Sequence, residues 1–201
     1  MTIQDAVDRL RERTRMTLFA AEVWDSDLDT RLKEASAEEL FEGFSICDPQ
    51  MAACMIAGLH LWNDNFHASH NLCQGVSTQT GSYWHGLCHR REGHQGEGLA
   101  SNLSNARYWF RRVGEHPAFD AVYRTALSTL DSAGTGIRWA EEAAIQLRGW
   151  HRWEAETLID WIAQADAHRL PAQAVELLSE IQWREIDLLV DWCFQQAVRK
   201  E

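Results

Sequence analysis

The sequence has little proline, almost no lysine and no long apolar run. Three prolines in 201 residues exclude a proline-rich linker and a collagen-like repeat. A membrane-spanning helix needs about 20 consecutive apolar residues, but the longest apolar run, residues 51–61, is interrupted by Gly58 and His60. Residues 1–16 also lack the apolar core of a secretory signal. We therefore expect no membrane span and no secretory signal.

Positive charge is in deficit over the whole chain. The 19 lysine and arginine residues face 30 aspartate and glutamate residues, which gives a net charge of −11 at pH 7. Proteins that bind nucleic acid or anionic membranes through bulk charge need the opposite balance. The net charge therefore argues against binding to nucleic acid or to anionic membranes through bulk charge.

Cysteine is present, but not in the patterns that bind zinc or form a disulfide framework. The five cysteines are odd in number and include no CxxC pair. Reduced thiols in a cytoplasmic protein explain this usage most simply. We expect a cytoplasmic protein without a zinc ribbon.

The rest of the amino-acid composition is typical of one globular domain. Hydrophobic residues make up 45% of the chain and charged residues 24%, both close to the average for soluble domains. Helical periodicity recurs along the sequence, whereas alternating β-branched runs and Asn-Gly or Asp-Gly hairpins are missing. Residues 74–81 and 93–98 are polar and contain glycine, which predicts loops. We expect a single all-α domain over residues 1–201, a helical bundle of seven to nine helices with a loop-rich central region.

Capping signals predict where several helices begin. Residues 3 to about 23 have an amphipathic pattern typical of a helix. Ser36 and Glu39 have the spacing of a capping box, in which each side chain bonds the other residue's backbone N–H. Asp48 followed by Pro49 predicts a carboxylate N-cap and a proline at the first helical position.

The last predicted helix runs from Pro171 to about residue 199 and is apolar on two faces. A stripe this wide implies burial on more than one side. A central helix of the bundle explains this pattern, and a homodimer seam is the alternative.

Histidines are concentrated in one part of the chain, with six of the nine between residues 60 and 94. His85 and His89 are four residues apart on a predicted helix, and Glu92 follows three residues later on the same face. Two imidazoles and a carboxylate suit a divalent metal such as zinc, iron or manganese. These three residues are the first candidate ligands.

A second histidine pair lies upstream. His67 and His70 are three residues apart and follow Asp64, which we expect to cap their helix. Metal sites in helical bundles combine such pairs from neighbouring helices, so His67 and His70 are additional candidate ligands. Two alternatives stay open, namely hydrogen bonding of the histidines inside a packed polar core and metal-free catalysis or ligand contact.

A local positive patch follows the histidines. Residues 83–117 contain five arginines and three acidic residues. Arg107 and Arg111 are four apart and share a helix face, which Tyr108 and Trp109 flank. An aromatic-lined cationic cleft suits a small anionic molecule. The alternative is that these arginines pair with Glu92, Glu115 and the acidic N-terminal third of the chain.

Two sequence blocks resemble the signature of a family whose activity is not assigned. Residues 83–92 read Tyr-Trp-His-Gly-x-x-His-Arg-Arg-Glu, and residues 104–117 read Ser-Asn-Ala-x-Tyr-Trp-Phe-Arg-Arg-Val-Gly-x-His-Pro. The match covers about 35 of the 201 residues, and the stretch between the blocks, residues 93–103, is longer than in the family. The resemblance implies that one motif contains His85, His89, Arg90, Glu92, Asn105, Tyr108, Trp109 and Arg111. Arg90 and Asn105 therefore join Arg107, Tyr108, Trp109 and Arg111 as candidate ligand contacts.

Together these patterns favour a cytoplasmic metal-assisted enzyme, hydrolase or oxygenase-like, acting on a small anionic substrate. The sequence leaves two alternatives open. One is a non-catalytic module that binds a small molecule in the same His/Arg/Trp pocket. The other is a homodimeric scaffold.

Overall fold

The computed structural model describes residues 1–14, 16–133 and 136–200. In chain order these residues form α1 (Ile3–Arg11), α2 (Ser26–Glu34), α3 (Ala37–Leu40), β1 (Phe44–Ile46), α4 (Pro49–Trp62), α5 (Phe66–Cys73), α6 (Gln79–Glu92), α7 (Leu99–Val113), α8 (Phe119–Ser132), α9 (Arg138–Trp150), α10 (Ala155–Asp166), α11 (Ala172–Ala197) and β2 (Val198–Lys200). The prediction of a mostly all-α protein is confirmed. The described residues hold eleven helices rather than seven to nine, because several helices are only one to three turns long. None of these helices combines the length and apolar character that a membrane crossing requires.

The N-terminal helix is shorter than predicted. It ends at Arg11 rather than near residue 23. Further along, the chain lies against the end of α6, where the Ala20 N–H donates to the Arg91 carbonyl at 2.6 Å and Arg91 Nη1 donates to the Thr17 carbonyl at 2.7 Å. Thr17 and Ala20 therefore bond to the end of α6 rather than continuing α1.

Two of the predicted helix starts are confirmed. Ser36 and Glu39 form the capping box of α3. Asp48 accepts from two backbone N–H groups at the start of α4, and Pro49 occupies the first helical position. Both motifs satisfy N–H groups that the helix itself leaves without partners.

The expectation of no strand is wrong at one place. β1 and β2 pair antiparallel, with Phe44 opposite Lys200 and Ile46 opposite Val198. Each strand has three residues, which is too short for an alternating pattern to show in the sequence. The pairing attaches the end of α11 to the segment before α4.

The loop predicted over residues 74–81 ends earlier than expected. α6 begins at Gln79, and the Thr78 side chain accepts from the Gly81 N–H to cap it. A Cβ on Gly81 would lie 2.1 Å from the Val76 carbonyl oxygen, so glycine here permits the incoming loop to pack on the first turn. Gly81 had contributed to the loop prediction. It lies inside α6 instead, where packing against Val76 requires a glycine.

The long helix α11 packs against α4, α8, α9 and α10. Its two apolar faces are buried at Leu178 and Leu189 on one side and at Ile186 and Val190 on the other. Contacts within the chain therefore cover much of both faces, while Trp183, Leu188, Trp192 and Phe194 are only partly buried.

Candidate metal centre

Helices α5 and α6 carry the histidines, and they pack against each other. Asn65 caps α5 by accepting from the Ala68 N–H at 3.0 Å. The prediction that Asp64 is this cap is wrong. Asp64 has a positive φ of 61°, and its carboxylate instead pairs with Arg13 at 2.6 Å and with Arg91.

Three histidines converge between these helices. One side-chain nitrogen from each of His70, His85 and His89 lies within 4.8 Å of the others. His70 Nε2 and His85 Nε2 are 2.9 Å apart and form a hydrogen bond. His85 and His89 are buried and His70 is half-buried. We call these three residues the histidine cluster.

The environment favours the neutral form of two of these histidines, His70 and His85. Burial, together with the nearby His70 and His89, lowers the pKa of His85 to about 3. Burial and His89 also lower the pKa of His70. A neutral imidazole is the form that binds metal, because a protonated ring has no free lone pair. His70 and His85 therefore favour the neutral form that metal coordination requires, and an ion would replace the hydrogen bond between their Nε2 atoms.

Glu92 acts on His89 rather than joining the three nitrogens. Its Oε2 lies 3.0 Å from His89 Nδ1, so Nδ1–H donates to the carboxylate. Residues three apart on a helix are close enough for this contact. A carboxylate behind a histidine is a recurring feature of metal sites, where it fixes the ring orientation.

His67, the other additional candidate, lies outside the histidine cluster. Its side chain is exposed on α5 and contacts the ring of its neighbour Phe66, with centroids 5.3 Å apart. Of the five predicted ligands, the structure thus brings together three, places Glu92 one hydrogen bond behind them and leaves His67 in solvent.

Aromatic rings enclose the cluster. The Trp109 indole stacks on the His85 ring, with centroids 3.9 Å apart and planes 12° apart. Phe66 packs against the His70 ring at 5.5 Å. His85 Nδ1 is buried and has no hydrogen-bond partner among the described residues, an arrangement that costs about 1–3 kcal/mol.

The predicted arginine pair faces away from the histidines. Arg107 pairs with Asp160 at 2.6 Å, and Arg111 pairs with Glu156 at 3.0 Å. Both acids belong to α10, so these arginines connect α7 with α10. This is the pairing with acids that the sequence left as an alternative, although its partners come from a later helix than expected.

The other candidate ligand contacts are scattered. Arg90 is fully buried and donates to Glu185 at 2.5 Å, on the α11 side of α6. Tyr108 is 53% exposed, and Asn105 is exposed on the same helix. Only Trp109 touches the cluster. Arg112, which was not among the predicted ligand contacts, lies next to this residue, with its Cζ 5.4 Å from the Trp109 ring centroid.

Comparison of the chain with protein-family models, with curated proteins and with solved structures gives no match. The case for a function therefore depends on the geometry of the histidine cluster.

Proposed function

We propose that the protein binds one divalent zinc ion through His70, His85 and His89 and uses it to activate water in a hydrolytic reaction. The observation that supports this most directly is the convergence of three imidazole nitrogens within 4.8 Å. Three protein ligands leave a fourth tetrahedral position for water, and bound zinc lowers the pKa of that water to about 7.

The donor set favours this chemistry over oxygen activation. Iron oxygenases commonly use two histidines and one carboxylate with open positions. Here the nearest carboxylate, Glu92, is already hydrogen bonded to His89 Nδ1. Three nitrogen donors suit zinc.

Each neighbouring residue has a role in this proposal. Glu92 holds the His89 ring so that Nε2 faces the cluster. Trp109 covers the face of His85 and limits the access of bulk water to it. The half-buried position of His70 leaves a route for the ion and for substrate.

Zinc titration by calorimetry on tag-free protein tests the proposal. We expect one zinc per chain. His85→Ala and His89→Ala should abolish this binding, because each removes one of three ligands. His67→Ala is the matched control and should retain full binding, because His67 is exposed on the same helix as His70.

Glu92→Gln separates the orienting role from direct ligation. An orienting carboxylate contributes about 10–100-fold to metal affinity, so this variant should bind one zinc more weakly by that factor. Equal zinc binding in wild-type and His85→Ala protein would contradict the proposal. The cluster would then be a hydrogen-bonded part of the packed interior.

A further inference from the structure

Helix α7 presents its arginines on two different flanks. Successive residues on a helix are separated by about 100°. Arg107 and Arg111 therefore lie on the flank opposite Trp109, whereas Arg112 lies within about 60° of it. Since Trp109 stacks on His85, Arg112 is on the flank that faces the histidine cluster.

Arg112 is close to the aromatic wall of the cluster. Its Cζ lies 5.4 Å from the centroid of the Trp109 ring and 5.8 Å from that of Tyr108. Its Nη1 is 3.5 Å from the Tyr108 hydroxyl. Two ring contacts, Arg112 to Trp109 and Trp109 to His85, thus connect the guanidinium to the cluster.

No carboxylate neutralises this guanidinium within the described ranges. Arg107 and Arg111 each have an acidic partner on α10, but Arg112 has no ion pair with any described residue and is exposed. Arginine binds carboxylate and phosphate groups through paired N–H donors. Stacking against Tyr108 and Trp109 limits the orientations of its side chain.

We propose that Arg112 binds the carboxylate or phosphate group of an anionic substrate whose reacting group lies at the histidine cluster. This assignment rests on the proposed zinc site for the position of the reacting group. It replaces the sequence-based choice of Arg107 and Arg111. Arg112 is a positioning residue, because it holds a part of the substrate that does not react.

A pair of hydroxamates tests the assignment. Acetohydroxamate can bind zinc and carries no further charge, whereas succinic acid monohydroxamate adds a carboxylate. We expect the zinc-loaded protein to bind the second compound about tenfold more tightly. Arg112→Gln should remove this difference without changing zinc affinity, and Arg111→Gln, the matched control on the opposite flank, should preserve it.

A second measurement does not depend on zinc. Succinate and inorganic phosphate are titrated separately into metal-free protein, with tryptophan fluorescence as the readout. Weaker binding in Arg112→Gln but not in Arg111→Gln supports the assignment, and the stronger of the two anions identifies the substrate class. Absence of zinc binding in wild-type protein would overturn the proposed function alone. Unchanged anion and hydroxamate affinities in Arg112→Gln would overturn the role of Arg112.

Discussion

Glu185 has no exposed side-chain surface, and three side chains donate hydrogen bonds to its carboxylate. Tyr83 donates at 2.7 Å, Arg90 at 2.5 Å and Trp153 at 3.3 Å. A buried charge is costly unless a partner and hydrogen bonds compensate for its lost hydration. This network joins α6 to α11 and fixes the helix that carries His85 and His89.

We predict that Glu185→Gln lowers the free energy of unfolding by about 3–5 kcal/mol, because it leaves the buried Arg90 guanidinium without a negative partner. Urea denaturation measures this change. Glu156→Gln is the matched control, since Glu156 pairs with the exposed Arg111 and should cost less than about 1 kcal/mol. If the two variants lost the same free energy of unfolding, burial of the Glu185–Arg90 pair would contribute nothing to its effect on stability.

Single residues also show how far the site could be predicted from sequence. Helical spacing correctly placed His85 and His89 on one face, because that spacing is a property of the helix itself. The role of Glu92 could not be predicted in this way. Helical spacing does not show whether its carboxylate joins the three nitrogens or bonds to His89 Nδ1. The choice between Arg111 and Arg112 depended on which flank of α7 meets α6, and the sequence of α7 does not contain that information.

At the scale of elements, α6 is unusual because it is buried along nearly its whole length despite its many polar residues. All twelve residues from Thr80 to Arg91 are buried. The histidines face α5, Arg90 reaches α11, and Arg91 pairs with Asp64 before α5. A polar helix can be buried in this way only because each neighbouring element supplies partners for a different face.

Close packing between α4 and α6 gives a prediction for Gly58. An added Cβ there would lie 2.5 Å from Cη2 of Trp84 and 3.0 Å from Val190. Gly58→Ala should therefore destabilise the protein by about 1–3 kcal/mol through overpacking, even though alanine favours helix.

Gly149→Ala provides the control for Gly58→Ala. Gly149 is also helical, in α9, but a Cβ there would meet nothing within 4 Å. This variant should stabilise the protein by up to about 1 kcal/mol, since only helix propensity changes. Thermal unfolding of both variants measures the difference in stability. Stabilisation by Gly58→Ala would contradict the close packing of α4 against α6.

At the scale of the molecule, local signals predicted the helical class and two helix starts, whereas tertiary contacts decided the rest. The capping box at Ser36 and the Asp48 cap depend on neighbouring residues only, and both were predicted correctly. The path of residues 17–20 after α1 depends on hydrogen bonds to the distant Arg91. The β1–β2 pairing joins segments about 150 residues apart, a separation at which local sequence patterns carry no information.

The meeting of His70 with His85 and His89 is likewise a property of the whole fold, because it requires α5 to pack on α6 in one register. Crystals grown with zinc and measured at the zinc absorption edge test it most directly. We predict one anomalous peak about 2.0–2.1 Å from a nitrogen of each of the three histidines. A protein that takes up zinc elsewhere, with no peak between these three rings, would contradict the proposed metal centre.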